Sequence, residues 1–166
     1  MKFAEYRREW LDVLKAQEDA LRMDALSAER ALELGLRMAR LAKEKYRQPV
    51  AIRIITGGQT TFSYLMEGTN RNNEWWMDKK LNTCRLTGVS SIRALVEVAE
   101  GLRPMEPEFE NDQNFALCGG CFPLRTPAGK CFGYALSSGM AHQRDHQLIV
   151  DALSGLLGVE APSLLD

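Results

Sequence analysis

The sequence predicts a mixed α/β domain of the α+β type, with two β-hairpins surrounded by amphipathic helices. Three observations carry this. Residues 50–56 and 59–66 are short β-rich runs joined by Gly57-Gly58. A second pair, 122–126 and 131–138, is joined by Pro127-Ala128-Gly129-Lys130. The segments before, between and after these pairs place apolar residues at three- and four-residue steps, the period of a helix with one buried face.

Over 6–21, Tyr6, Trp10, Val13, Leu14, Gln17 and Leu21 form such a stripe with charges between them, which gives a first helix. A break at 23–26 precedes Ser27, whose hydroxyl can accept from the free N–H groups of a helix start, so a second helix runs from there to about Tyr46. Its predicted inward stripe is Ala28, Ala31, Leu32, Gly35, Ala39 and Ala42. A mid-helix glycine costs about 1 kcal/mol relative to alanine, so Gly35 among alanines points to a helix pressed close against a sheet. Pro49 ends the helical pattern, and Val50-Ala51-Ile52-Arg53-Ile54-Ile55-Thr56 reads as a strand. Gly57-Gly58 supply the positive φ angles of a primed hairpin turn. Asn70 or Asn72 caps a third helix through about Leu86, and Ser90 or Ser91 a fourth through about Glu100. Residues 96–112 carry Glu97, Glu100, Glu106, Glu108, Glu110 and Asp112 against the lone Arg103, with Pro104 and Pro107, and read as a solvated connecting loop.

In 131–138, Phe132, Tyr134 and Leu136 alternate with Cys131, Gly133, Ala135 and Ser137, so one face of this strand is bulky and the other nearly bare. A bare face needs a close cover, either the small-residue second helix or a planar ligand in a cleft. A final helix over 143–157 carries Ile149, Ala152, Leu153 and Leu156 inward. The 166 residues suit a single domain, read as an N-terminal helix over 1–23 and a core over 24–158.

Composition narrows the function classes. Lys plus Arg total 21 against 22 for Asp plus Glu, which disfavours nucleic acid and anionic membrane as partners. Charges interrupt the first 21 residues, so no secretory h-region is predicted, and the apolar runs elsewhere fall well short of the roughly 18 residues of a membrane span. A cytoplasmic protein follows, with Cys84, Cys118, Cys121 and Cys131 as reduced, mostly buried thiols.

Two motifs invite chemistry. Cys118-x2-Cys121 followed by His142-x3-His146 has the half-spacings of a tetrahedral zinc site. Against it, 20 residues of strand pair separate the halves, His142 precedes the predicted start of the last helix, and thiols beside a strand also serve as small hydrophobes. Asp145-His146 at a helix start can be a helix-favouring acid beside an acid, base or metal ligand, or a capping Asp beside a hydrogen-bonded His. No nucleophile elbow, phosphate-binding Gly loop or covalent-haem motif is present.

Several segments in order resemble the GlcG/HbpS-like family, the haem-degrading domain family, and more narrowly a branch of uncharacterised proteins with a GG-x-FP segment and a C-terminal DH motif. They are Leu14-Lys15-Ala16-Gln17-Glu18-Asp19-Ala20-Leu21, Pro49-Val50-Ala51-Ile52-Arg53-Ile54, Asn73 with Trp76 and Lys80, Ser90-Ser91, Gly119-Gly120-Cys121-Phe122-Pro123, Ser138-Gly139 and Asp145-His146. The resemblance spans about 11–157. It implies a profilin-like antiparallel sheet flanked by helices, and homo-oligomers, dimers or larger rings. It also implies relatives that bind haem or other tetrapyrroles, some linked to cobalamin or to diol and glycolate metabolism. Cys118 and Cys121 around the Gly pair, and Ala141-His142 where related sequences tend to place Pro, depart from the pattern.

The resemblance places a ligand site among Trp76, Lys80, Ser90, Ser91, Gly119, Gly120, Phe122, Asp145 and His146. There Trp76 would stack on a flat ring, Lys80 would pair with a carboxylate or phosphate, the glycines would expose backbone N–H groups, and His146 would ligate iron or orient the ligand. Each also has a structural reading: Trp76 as core anchor, Lys80 as a helix-surface cation, the glycines as turn formers. The expected function is a small-molecule-binding oligomer, with haem or another planar anionic tetrapyrrole as ligand. Alternatives are an oligomeric adaptor using the acidic loop, and a small enzyme using Asp145 and His146.

Overall fold

The two predicted hairpins form one sheet. The computed structural model describes residues 2–166. In it, β1 (Ala51–Thr56) pairs antiparallel with β2 (Gln59–Leu65), and β3 (Cys121–Arg125) with β4 (Cys131–Ser138). The hairpins meet through antiparallel pairing of β1 with β4, from Ala51 opposite Ser138 to Thr56 opposite Gly133, in the order β2-β1-β4-β3. The turn between β1 and β2 is the primed type expected, with φ of 60° at Gly57 and 79° at Gly58.

Alternation along the two central strands sends side chains to two different covers. Ala51 and Ile55 of β1 and Leu136 of β4 lie under α3 (Arg71–Thr87), against Met77, Leu81 and Cys84. Ile52, Ile54 and Ala135 face the larger core beneath α2 (Ala28–Leu41) and α5 (His142–Leu157). Five helices thus flank the sheet: these three, together with α1 (Trp10–Ala20) and α4 (Ser91–Ala99), which pack together through Trp10, Leu14, Ile92 and Val96.

The caps follow the sequence. Ser27 accepts from Arg30 N–H (3.2 Å), Asn70 and Asn73 form a reciprocal capping box at α3, and Ser90 accepts from Arg93 N–H at α4 (3.4 Å). Other expectations change. The buried stripe of α2 is Ala31, Leu34, Gly35 and Met38, continued by Ala42 and Tyr46 in a π-helical turn over 42–46, whereas Ala28 and Leu32 face outward. Gly35 does lie against the sheet, where a Cβ would collide with the Phe62 ring of β2. The bare face of β4 is covered by α5, not by α2 or a ligand. Residues 96–99 of the predicted acidic loop belong to α4, and Glu97 is buried between Arg93 (2.8 Å) and Arg103 (2.8 Å), while Phe109 in the short 3₁₀ turn Pro107–Glu110 is buried. Finally, α5 begins at His142, which therefore sits inside its first turn.

All four cysteines are free thiols; Cys84 and Cys121 are buried, Cys118 and Cys131 half-buried. Among the described residues no helix is long and apolar enough to cross a membrane.

Candidate functional site

The capping box at Asn70 fixes where α3 starts and hence which of its residues share a face. Asn73, Trp76 and Lys80, at three- and four-residue steps, line one wall of a cleft of about 1000 Å³. The facing wall is the loop 109–118, carrying Phe109, Phe115 and Cys118. This loop is bound to α3 by three side chains: Trp75 Nε1–H donates to the Gln113 carbonyl (3.0 Å), Asn82 to the Asn114 carbonyl (2.8 Å) and Thr83 Oγ1 to the Ala116 carbonyl (2.8 Å). The floor is the β4–α5 turn with Ser138, Gly139, Met140, His142 and Asp145, and Lys2, Phe3 and Ala4 close one side.

At the floor, Lys80 and Asp145 form an ion pair (3.1 Å) with side chains 3% and 2% exposed. Each has further partners. Lys80 Nζ also donates to the Ser137 carbonyl (3.0 Å), and Asp145 accepts from Ser137 Oγ (3.3 Å), Gly139 N–H (3.4 Å) and Met140 N–H (3.1 Å). Burial raises the Asp145 carboxyl above its usual range, with Lys80 and the two N–H groups pulling it down. Gly120, at φ 129°, admits this arrangement, since a Cβ there would run into the Ser137 carbonyl and the end of Lys80. Gly119 plays the same part against the His142 carbonyl and His146.

Lys79 behaves differently. It lines the cleft, is 4% exposed, and has no hydrogen-bond or ion-pair partner among the described residues. Its Nζ lies 4.1 Å from the Trp75 ring centroid and 3.9 Å from that of Trp76. Such cation–π contacts each contribute about 0.5–2 kcal/mol. Burial pushes its ammonium below the usual lysine range, against the pull of Cys118 and Asp112. Burial also raises the Cys118 thiol, with Lys80 acting the other way. Sequence reasoning missed Lys79, although its spacing of four and three residues from Trp75 and Trp76 on one helix was the available signal.

The histidines are both hydrogen-bonded as neutral imidazoles. His142, on the cleft floor, accepts from Gly119 N–H at Nδ1 (2.9 Å) and donates through Nε2 to the Glu5 carbonyl (2.7 Å), which ties the N-terminal segment beside the cleft. His146 is wholly buried outside the cleft lining. Its Nε2 donates to Gln17 Oε1 (2.7 Å), whose amide donates in turn to Gln147 Oε1 (3.1 Å) and the Pro162 carbonyl (2.8 Å). Its Nδ1 has no partner among the described residues, and burial, aided by His142, pushes its pKa down to about 3.

Of the residues singled out from the sequence, the cleft therefore gathers Trp76, Lys80 and Asp145 of the ligand set, and Cys118 and His142 of the zinc set. Ser90 and Ser91 lie behind it: Ser90 caps α4 and its N–H donates to Glu18 (2.7 Å), while Ser91 Oγ accepts from Cys121 N–H (3.1 Å). Phe122 is in the core beside His146, ring centroids 5.9 Å apart. Cys118, Cys121, His142 and His146 do not converge, and no three His, Cys, Asp or Glu side chains among the described residues are grouped as metal ligands would be. Cys121 instead faces the apolar cluster under α3.

A four-stranded antiparallel sheet flanked by five helices, with an aromatic-walled cleft beside one of them, defines a mixed α/β domain. The chain belongs to the haem-degrading protein HbpS-like family, whose model matches residues 26–154. A UPF0303 protein of Psychromonas ingrahamii is 30% identical over 152 residues, covering 89% of this chain and 92% of that one. Among solved structures, the Ybr137w protein superposes with a TM-score of 0.73 at 20% identity, over 89% of this chain and 87% of its own. A PduOC:haem complex superposes with a TM-score of 0.66 at 19% identity, over 82% and 98%.

Proposed function

We propose that this protein is a small-molecule-binding module that takes its ligand in the cleft between α3, the 109–118 loop and the β4–α5 turn, and that it works as a homo-oligomer. The observation that carries the reading is the cleft itself: about 1000 Å³, walled by Phe3, Trp76, Phe109 and Phe115, with polar groups such as Asn73, Lys79 and His142 among them. Family membership, together with a structural neighbour that is itself a haem complex, makes a tetrapyrrole the first ligand to try.

The residues present suit such a group. Trp76 and the phenylalanines offer stacking surface, and Met140 and Cys118 are the lining side chains able to ligate iron, whereas His142 would first have to give up its hydrogen bond to Gly119 or to Glu5. Bound iron would supply redox and ligand-binding chemistry, and the protein's part is to stack, orient and exclude water. His146 has no place in this set, because its Nε2 is engaged by Gln17 and its ring is buried.

The test is a haem titration read at the Soret band, with native mass recorded on the same sample. A shifted band at micromolar haem, weakened at least about tenfold by Trp76→Ala and unchanged by a folded His146→Gln variant, supports the reading. Absence of any shift removes the tetrapyrrole, and a shift insensitive to Trp76→Ala removes the cleft.

A further inference from the structure

Lys79 and Lys80 are neighbours in sequence, both buried, and only one of them has a counter-charge. Lys80 is neutralised by Asp145 and held by the Ser137 carbonyl, so its charge is already answered within the protein. Lys79, 4% exposed, has neither a carboxylate nor a carbonyl within bonding distance among the described residues, and only the faces of Trp75 and Trp76 attract its charge at close range. An ammonium on a largely buried side chain without an anionic partner carries a desolvation cost that an incoming anion can offset. Asp112 on the rim is near enough to favour the ammonium yet forms no ion pair with it.

We infer that Lys79 is the anion-recognition group of the cleft, and that the ligand is an organic anion: a carboxylate, phosphate or sulfonate head on an apolar, preferably aromatic, body. The head meets Lys79 Nζ, while the body lies along Trp76 with Phe109 and Phe115 opposite. This rests on the small-molecule reading above and names the chemistry that reading leaves open. It also reassigns the role that the sequence suggested for Lys80 to the residue beside it. Two indoles flank the ammonium without neutralising it, which leaves its charge available to an incoming anion. The tight clamping of the 109–118 loop onto α3 through Trp75, Asn82 and Thr83 preorganises the pocket, so little ordering is needed on binding.

The experiment compares two probes of matched aromatic body: the anionic 1-anilinonaphthalene-8-sulfonate and the neutral N-phenyl-1-naphthylamine. Each is titrated into the intact protein and read by energy transfer from tryptophan. Lys79→Met is expected to lower affinity for the sulfonate at least about tenfold and leave the neutral probe within about twofold, while Lys79→Arg keeps the sulfonate within about threefold of wild type. Circular dichroism of each variant establishes that it is folded. If both probes bind and Lys79→Met changes neither, the cleft binds small molecules but the anion assignment is overturned. If neither probe binds wild type, the small-molecule reading fails and this inference falls with it.

Discussion

Lys79 and Lys80 divide the site into two regions of opposite character, although they are adjacent in the chain. Around Lys80 the charge is answered: Asp145, the Ser137 carbonyl and the N–H groups of Gly139 and Met140 form a network at the start of α5. Around Lys79 the walls are aromatic and the charge is left over. A closed buried network specifies structure, since removing any member strands another; an open buried charge contributes little to the fold and is available for binding. The two histidines of α5 part in location instead, His146 buried against the amides of Gln17 and Gln147 and His142 on the cleft floor.

The largest effect should come from breaking the closed region. Lys80→Met leaves Asp145 buried and uncompensated and is expected to lower stability by about 3–5 kcal/mol in urea denaturation. The double variant Lys80→Met/Asp145→Asn, which removes the unpaired charge yet keeps an acceptor for the Gly139 and Met140 N–H groups, should recover part of that loss. A single-variant loss below about 1 kcal/mol would show that the network is not structural.

Acid should sharpen the comparison next. The folded-state pKa of His146 is pushed to about 3, below the unfolded value of about 6.5, so between these values the unfolded chain binds a proton that the native state refuses. Its stabilisation is complete above about pH 6.5 and is lost as pH falls, by about 2 kcal/mol between about pH 7 and about pH 5. Burial lowers His142 too, so it contributes in the same direction. In urea titrations across this range, His146→Leu should flatten the slope; an unchanged slope would mean that His146 is not the buried group responsible.

The smallest effect belongs to the open region. Lys79→Met exchanges an unpaired, partly desolvated ammonium for an apolar chain of similar length, losing the cation–π contacts but also that desolvation cost, so stability should move by less than about 1 kcal/mol. A loss equal to that of Lys80→Met would erase the distinction between the two lysines.

Much of the fold was readable because its signals are local. Ser27, Asn70 and Ser90 cap the helices where expected, Gly57-Gly58 turn the first hairpin, and Gly35 marks the close approach of α2 to β2. The outward Leu32 and the buried Glu97 ran against their local patterns because a side chain's burial depends on which distant element covers it. Part of the candidate site was readable too: Trp76, Lys80 and Asp145 do meet at one cleft, whereas Ser90, Ser91, Phe122 and His146 lie behind it.

The order and type of the elements, the two hairpins and membership of the family were determined by the sequence alone, through residue patterns that act within a few positions of one another. Tertiary structure decided which adjacent lysine would meet a carboxylate, and that His146 would turn into the core rather than the cleft. Successive helical residues point about 100° apart, so Lys79 and Lys80 face different neighbours. Asp145 reaches Lys80 only because β4 carries α5 across the sheet to α3, a juxtaposition that no local pattern encodes.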